Sequence, residues 1–338
     1  MKIEVIKDIR MFKDLEIIWY DLYRSGTYSV FQSFTFNYYS WKHYLSLDPN
    51  NSLFIIKVFS DSCVSCIFPF YKDNSKNLRF INDKHSDFCE ILLKDPINLN
   101  DVFSQINNKK YLFLNLKKES HILNNINSIN MPYKMINLDQ RYSYIEINQG
   151  SFPDRMDRYK SKHKTEIRRI LKKHHNLDHH IISFKDCVFP RKDILRIREH
   201  MISNRMRNKH FLDDWHINLL ESLYNSGDLI ISQTKSIEIL SMCFILRKDN
   251  EYLFWMDIFY DIQFINLFNY ISFISNISSH CNVLINFGRG DYNYKLLNFN
   301  PNIDNLYRLR IFNNRFDYIR SSFIENCMSL FKSLYNKI

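Results

Sequence analysis

The 338-residue chain contains no alanine, five glycines and seven prolines. Residues with GC-rich codons are thus scarce while Asn, Ile, Lys, Phe and Tyr abound, which points to an AT-rich coding sequence. Glycines that persist against this bias are informative, and two of the five, Gly288 and Gly290, are separated by one residue. The seven cysteines are scattered. Cys63 and Cys66 in "DSCVSCIFPFY" form a lone CxxC with no second pair at zinc-ribbon spacing, so they are expected to be small buried residues of a strand. The start, "MKIEVIKDIRMFK", lacks the apolar core of a secretory signal. The most hydrophobic stretch, "IFYDIQFINLFNYISFISNI", holds Asp261, Gln263 and three asparagines and is a poor membrane span. These absences lead to the expectation of a soluble, cytoplasmic protein.

What is present is apolar and basic. The chain is 45% hydrophobic and 16% aromatic, enough for a sizeable core. Its formal charge is +10, and most of it is local: residues 155–175 carry nine Lys/Arg against Asp157 and Glu166. One basic element facing a partner accounts for this better than a general nucleic-acid coat does. Its inward-facing residues are expected to be Met156, Tyr159, Ile167, Ile170 and Leu171. The cluster His163, His174, His175, His179 and His180 has no carboxylates at matching spacing, so no metal site is expected.

Periodicity predicts two helices near the start, then the antiparallel strands "SLFIIKVFS" and "CVSCIFPFY". A strand "YLFLNL", a helix "ESHILNNINSI" and a strand "RYSYIEIN" follow. Gly150, Ser151 and Pro153 punctuate the chain there. Beyond them come the basic helix, the strand "HHIISF", two helices and three consecutive strands. A helix "QFINLFNYISFISNISS", the strand "NVLINF" and a final strand and helix over 306–337 complete the chain. The pattern is α+β, with mixed sheets flanked by helices, and the expected domains are 1–149 and 150–338.

In this order the stretches "YIEINQGSFPDRMDRYKSKHKTEIRRILKK", "RMRNKHFLDDWHINLLESLYNSGDLIISQTK", "YLFWMDIFYDIQF" and "INFGRGDYNYK" resemble the GNAT-type acetyltransferase domain of bacterial cellulose and exopolysaccharide biosynthesis proteins. That domain is related to the Fem-type aminoacyltransferases of peptidoglycan bridge synthesis. "VFQSFTFNYYSWKHY", "IFPFYK" and "LRFINDKHSDFCEILL" match the weaker amino-terminal pattern, so the resemblance covers about residues 15–310. It implies two tandem GNAT-like halves with the acceptor in a cleft between them. The donor it implies is an acyl-CoA, held by the second half. The family also has a glycine just before the helix that follows "YLFWMDIFYDIQF"; here "FINLFNYISF" has none. The backbone N–H groups of Phe264, Ile265, Asn266 and Leu267 are left to meet the cofactor's phosphates, with bulky neighbours narrowing the approach.

The candidate chemistry centres on "INFGRGDYNYK". Gly288 and Gly290 allow positive φ or close approach to a ligand at the carboxyl end of a buried strand, bringing Arg289, Asp291, Tyr294 and Lys295 around a cleft. Acyl transfer to an amine needs a base, an oxyanion holder and an acid. By resemblance, Lys295 stabilises developing charge. Tyr294, or Tyr292, suits the acid because a phenol's pKa lies above a thiol's. Asp291 and Asp257 are the candidate bases, Asp257 because it interrupts an apolar strand. Arg289, Gly288, Gly290, Arg168 and Arg169 are assigned to substrate, the paired arginines to phosphates. The expected activity is therefore N-acyl, chiefly acetyl, transfer to an amino group of a nucleotide sugar or a cell-envelope saccharide, free or lipid-linked. The rivals are a Fem-like transferase using aminoacyl-tRNA and a catalytically silent GNAT-like protein that binds nucleic acid or membrane through its basic helix. The same helix would bring the protein to the inner face of an anionic membrane.

Overall fold

The computed structural model describes residues 2–106, 108–152, 155 and 159–335, so Met156 and the last three positions lie outside the described residues. Strands are β1 Lys2–Ile6, β2 Ser52–Leu53, β3 Ile55–Ser60, β4 Cys63–Phe68, β5 Phe70–Lys72, β6 Leu78–Phe80, β7 Leu92–Leu93 and β8 Lys110–Lys117. They continue as β9 Tyr133–Ile147, β10 Asp178–Ile182, β11 Leu229–Lys235, β12 Ile239–Lys248, β13 Glu251–Phe259, β14 Val283–Arg289 and β15 Asn302–Phe312. Helices are α1 Ile9–Lys13, α2 Glu16–Ser25, α3 Phe34–His43, α4 Leu99–Ile106, α5 His121–Asn124 and α6 Ser161–Lys173. The later ones are α7 Arg191–Ser203, α8 Asp214–Ser226, α9 Ile265–Ser278, α10 Asn293–Phe299 and α11 Arg315–Tyr335. This is the α+β pattern expected from the sequence.

Two compact units form. Unit 1 comprises residues 1–37, 45–139 and 305–338; unit 2 comprises 38–44 and 140–304. The chain thus passes from one to the other inside β9, and its last 34 residues (305–338) belong to unit 1, whereas the expected halves placed them with the second. Unit 1 contains the antiparallel sheet β1-β3-β4-β7 and the strand run β15-β8-β6-β5-β2. Its core is aromatic, with Phe68, Phe70, Phe113 and Tyr111 fully buried. Cys66 is buried, as expected, but Cys63 is exposed at the β3–β4 turn, where the strand begins in solvent. The arginine of "LRFIND" is buried too: Arg79 holds both carboxylate oxygens of Asp83, at 3.0 and 2.9 Å.

Unit 2 contains the strand run β10-β11-β12-β13-β14-β9, antiparallel except for the parallel pair β13–β14. Alternation along each strand sends Ile230, Cys243, Ile245 and Phe254 to the face covered by α6 and α9. The intervening Ile231 and Phe244 turn to the other face, where α7 and α8 pack. Helix α9 is apolar on nearly every side, and ten of its fourteen residues are buried, as such a helix requires. Helix α6 docks through Ile167 and Ile170, with Leu171 against the same core, in agreement with the faces read from the sequence. Among the described residues no helix is long and apolar enough to cross a membrane.

Candidate active site

Strands β13 and β14 begin side by side and then part. Their pairing runs Glu251 to Leu284, Tyr252 to Ile285 and Leu253 to Asn286, and stops there. Yet β13 continues to Phe259 and β14 to Arg289. Between their carboxyl-terminal ends lies a fork, on whose margin β13 has main-chain N–H and C=O groups without β14 as a partner.

Glycine shapes one arm of the fork. Against β9, Asn286 pairs with Tyr144 and Arg289 with Tyr142, so β14 carries one extra residue there, a bulge. Gly288 (φ 68°) and Gly290 (φ 87°) both take the left-handed conformation, as their presence in this glycine-poor chain implied. The Gly288 N–H donates to Asn286 Oδ1 (2.9 Å) and the Gly290 N–H to the Arg141 carbonyl (2.7 Å). The residues that follow are helical (α10), a turn of structure the sequence reading missed because "NYKLLNF" is too short to show a period.

Lys295 is only 3% exposed. Its ammonium donates to the carbonyls of Phe287 (2.6 Å), Arg289 (2.8 Å) and Gly290 (3.1 Å), with Gly288 O at 3.5 Å. A lysine has three protons, and these carbonyls take them. In this structure Lys295 clasps the bulged turn from within. Asp291 is half-exposed and pairs with Arg141 at 3.3 Å, so its partner is a surface cation rather than the other candidate groups. Tyr292 stacks on Tyr294 with ring centroids 6.2 Å apart, and the latter keeps 44% of its surface in solvent.

Asp257 is the other centre, on β13 opposite Cys243 of β12. It accepts from the Tyr270 hydroxyl (2.8 Å) and more weakly from Asn266 Nδ2 (3.4 Å), and Arg207 lies 3.6 Å away. Its field reaches Tyr294: burial pushes that phenol well above its usual range, and the Asp257 and Cys243 charges push it further, against Arg207. Burial and Asp257 raise Tyr270 in the same direction. Of the sequence candidates, Asp257 thus acts on Tyr294 through its charge. The structure adds Tyr270, Arg207 and Cys243, which the sequence did not flag because each reads as an ordinary helix, loop or core residue, and it brings the side chain of Asn266, assigned beforehand only through its backbone N–H, to the same carboxylate.

The start of α9 collects cations. Phe264 precedes it in the left-handed conformation (φ 65°), where the resemblance expected a glycine nearby. Of the four N–H groups assigned to a cofactor, that of Ile265 donates to Ile262 O (3.1 Å) and that of Leu267 to Asn266 Oδ1 (2.9 Å). Around this turn α6 places Arg169 over the Phe264 ring at 5.5 Å and Lys173 Nζ on Gln263 Oε1 at 2.8 Å. His174 Nε2 meets Gln263 O at 3.0 Å. Arg169 also pairs with Glu166 (2.7 Å), and Arg168, one residue earlier on the helix, is exposed.

A scan of family models gives no match, and a search of curated proteins finds no relative. Solved structures do match. FemX is similar over 93% of this chain and 98% of its own, with 10% identity and a TM-score of 0.60. The C-terminal domain of a provisionally named lysylphosphatidylglycerol synthetase from Agrobacterium fabrum matches over 92% and 95%, with 9% identity and a TM-score of 0.57. L-PGS from Bacillus licheniformis matches over 79% and 82%, with 11% identity and a TM-score of 0.52. The fold is thus the GNAT-like one expected from the sequence.

Proposed function

We propose that this protein is a transferase that moves an activated acyl or aminoacyl group to an amine. The observation that carries the reading is the fork between β13 and β14 with Asp257 and Tyr294 beside it. A donor with amide groups can pair along the open margin of β13, as a missing strand would. Asp257, oriented by Tyr270 and Asn266, takes a proton from the attacking nitrogen. Nitrogen bonds to the acyl carbon and the carbonyl electrons move to oxygen. As the tetrahedral intermediate collapses, the bond to the leaving group breaks, and Tyr294, a phenol held protonated, supplies that group's proton. Main-chain N–H groups at the fork are the candidates for the oxyanion, since Lys295 is occupied.

In the first form of this reading the donor is acyl-CoA. Its phosphates lie near the start of α9 beside Arg169 and Lys173, and the acceptor is an amino sugar on a nucleotide or a cell-envelope saccharide. The crowding of that turn by Phe264 and Asn266 favours a second form, with an aminoacyl-tRNA as donor and the exposed cations of α6 against its backbone. Incubation with acetyl-CoA and, separately, with charged tRNA, reading melting temperature and amine-dependent loss of the acyl group, distinguishes them. Asp257→Asn is expected to lower turnover at least about 100-fold with the melting temperature held within a few degrees. Wild-type turnover by this variant ends the proposed role.

A further inference from the structure

Helix α11 carries a stripe that no described residue covers. Phe316 (74% exposed), Ile319 (54%), Phe323 (69%) and Ile324 (45%) recur at three- and four-residue spacing and so share one face. The opposite face is tied down. Asp317 pairs with Lys110 at 2.9 Å, Glu325 with Arg310 at 2.7 Å, and Tyr318 stacks on Tyr133 at 5.5 Å. Both acids of the helix are thus turned inward and neutralised, while Arg315 and Arg320 are exposed beside the apolar stripe. From residue 326 onward the sequence adds two lysines and no acid.

We infer that α11 is an interfacial helix that seats the protein on an anionic bilayer surface. The stripe enters the boundary between headgroups and acyl chains, and the flanking arginines meet lipid phosphates. The charge pattern selects this occupant over a second copy. Two such faces packed antiparallel about residue 320 would set Arg320 against Arg320 with no outward acid between them. The inference is independent of the transferase reading, because it concerns unit 1 and none of the residues around Asp257.

The test uses the full chain and sedimentation with vesicles of phosphatidylcholine alone or with roughly one-third phosphatidylglycerol. Wild type is expected to bind the anionic vesicles and to release as salt rises. Phe316→Ser with Phe323→Ser should weaken binding at least about tenfold, and Arg315→Glu with Arg320→Glu should abolish it. These side chains are in solvent, so melting temperature should stay unchanged. Failure of wild type to bind overturns the inference. So does binding insensitive to both pairs of changes, which would assign any lipid contact to another surface such as α6. A dimer dissociated by the serine pair, without vesicle binding, would identify the occupant as a second copy instead.

Discussion

Lys295 places a full charge inside unit 2 and donates hydrogen bonds to main-chain carbonyls. Removing it strands those carbonyls, and a buried unsatisfied polar group costs about 1–3 kcal/mol. Lys295→Met is therefore expected to lower stability by about 3 kcal/mol, read from urea denaturation, with activity falling because the fork loosens. A variant of unchanged stability would show that the ammonium serves something other than the turn. His179 offers a second measurement. Its ring contacts Ser232 Oγ at 2.8 Å beneath α9, and desolvation, then His180, pushes its pKa down to about 4. A histidine kept neutral in the folded state gains its proton on unfolding. Stability should therefore decline as pH drops from about 6.5 to about 4, by about 3 kcal/mol in all. Replacing His179 with Asn should remove that slope.

At the scale of elements, the turn into α9 sets a bulky residue, Phe264, in left-handed backbone beside a helix start. Phe264→Gly relieves about 1 kcal/mol of backbone strain and uncovers the N–H groups, at the loss of the ring's packing. Tighter binding of inorganic pyrophosphate by the variant, measured by thermal shift, is the expected result. Weaker binding would mean that the Phe264 ring itself, with Arg169 above it, forms the contact. Most of this architecture was legible beforehand. Long periodic runs such as "IEILSMCFILR" and "QFINLFNYISFISNISS" gave β12 and α9 because burial on one or all faces writes itself into sequence. Short elements such as α10 and β7 did not, since two to seven residues hold too little pattern. The site was half legible. Asp257 stood out as an acid in an apolar strand, but Tyr270 and Arg207 reach it through packing and a loop path that no local spacing records.

For the molecule as a whole, acid sensitivity is a balance. Glu90 is held by the N–H groups of Ile91 and His121, but burial outweighs them and raises its pKa to about 7. A carboxyl that binds its proton more tightly when folded stabilises the protein below about pH 4.5 and loses that contribution as pH rises through about 7. This opposes His179, whereas His43, His121 and His216 are lowered by burial and act with it. Glu90→Gln should therefore steepen the loss of stability on acidification, and His179→Asn should flatten it. Identical pH profiles for the two variants would contradict both assignments.

The parted strands also make the protein its own reporter. Beyond Leu253, β13 is no longer paired with β14, and amides on that margin should trade deuterium with solvent faster than those of the paired stretch 251–253. Whatever molecule completes the gap will slow that exchange at the same few positions. Occupancy can then be followed in crude mixtures by mass, before the chemical identity of the occupant is known.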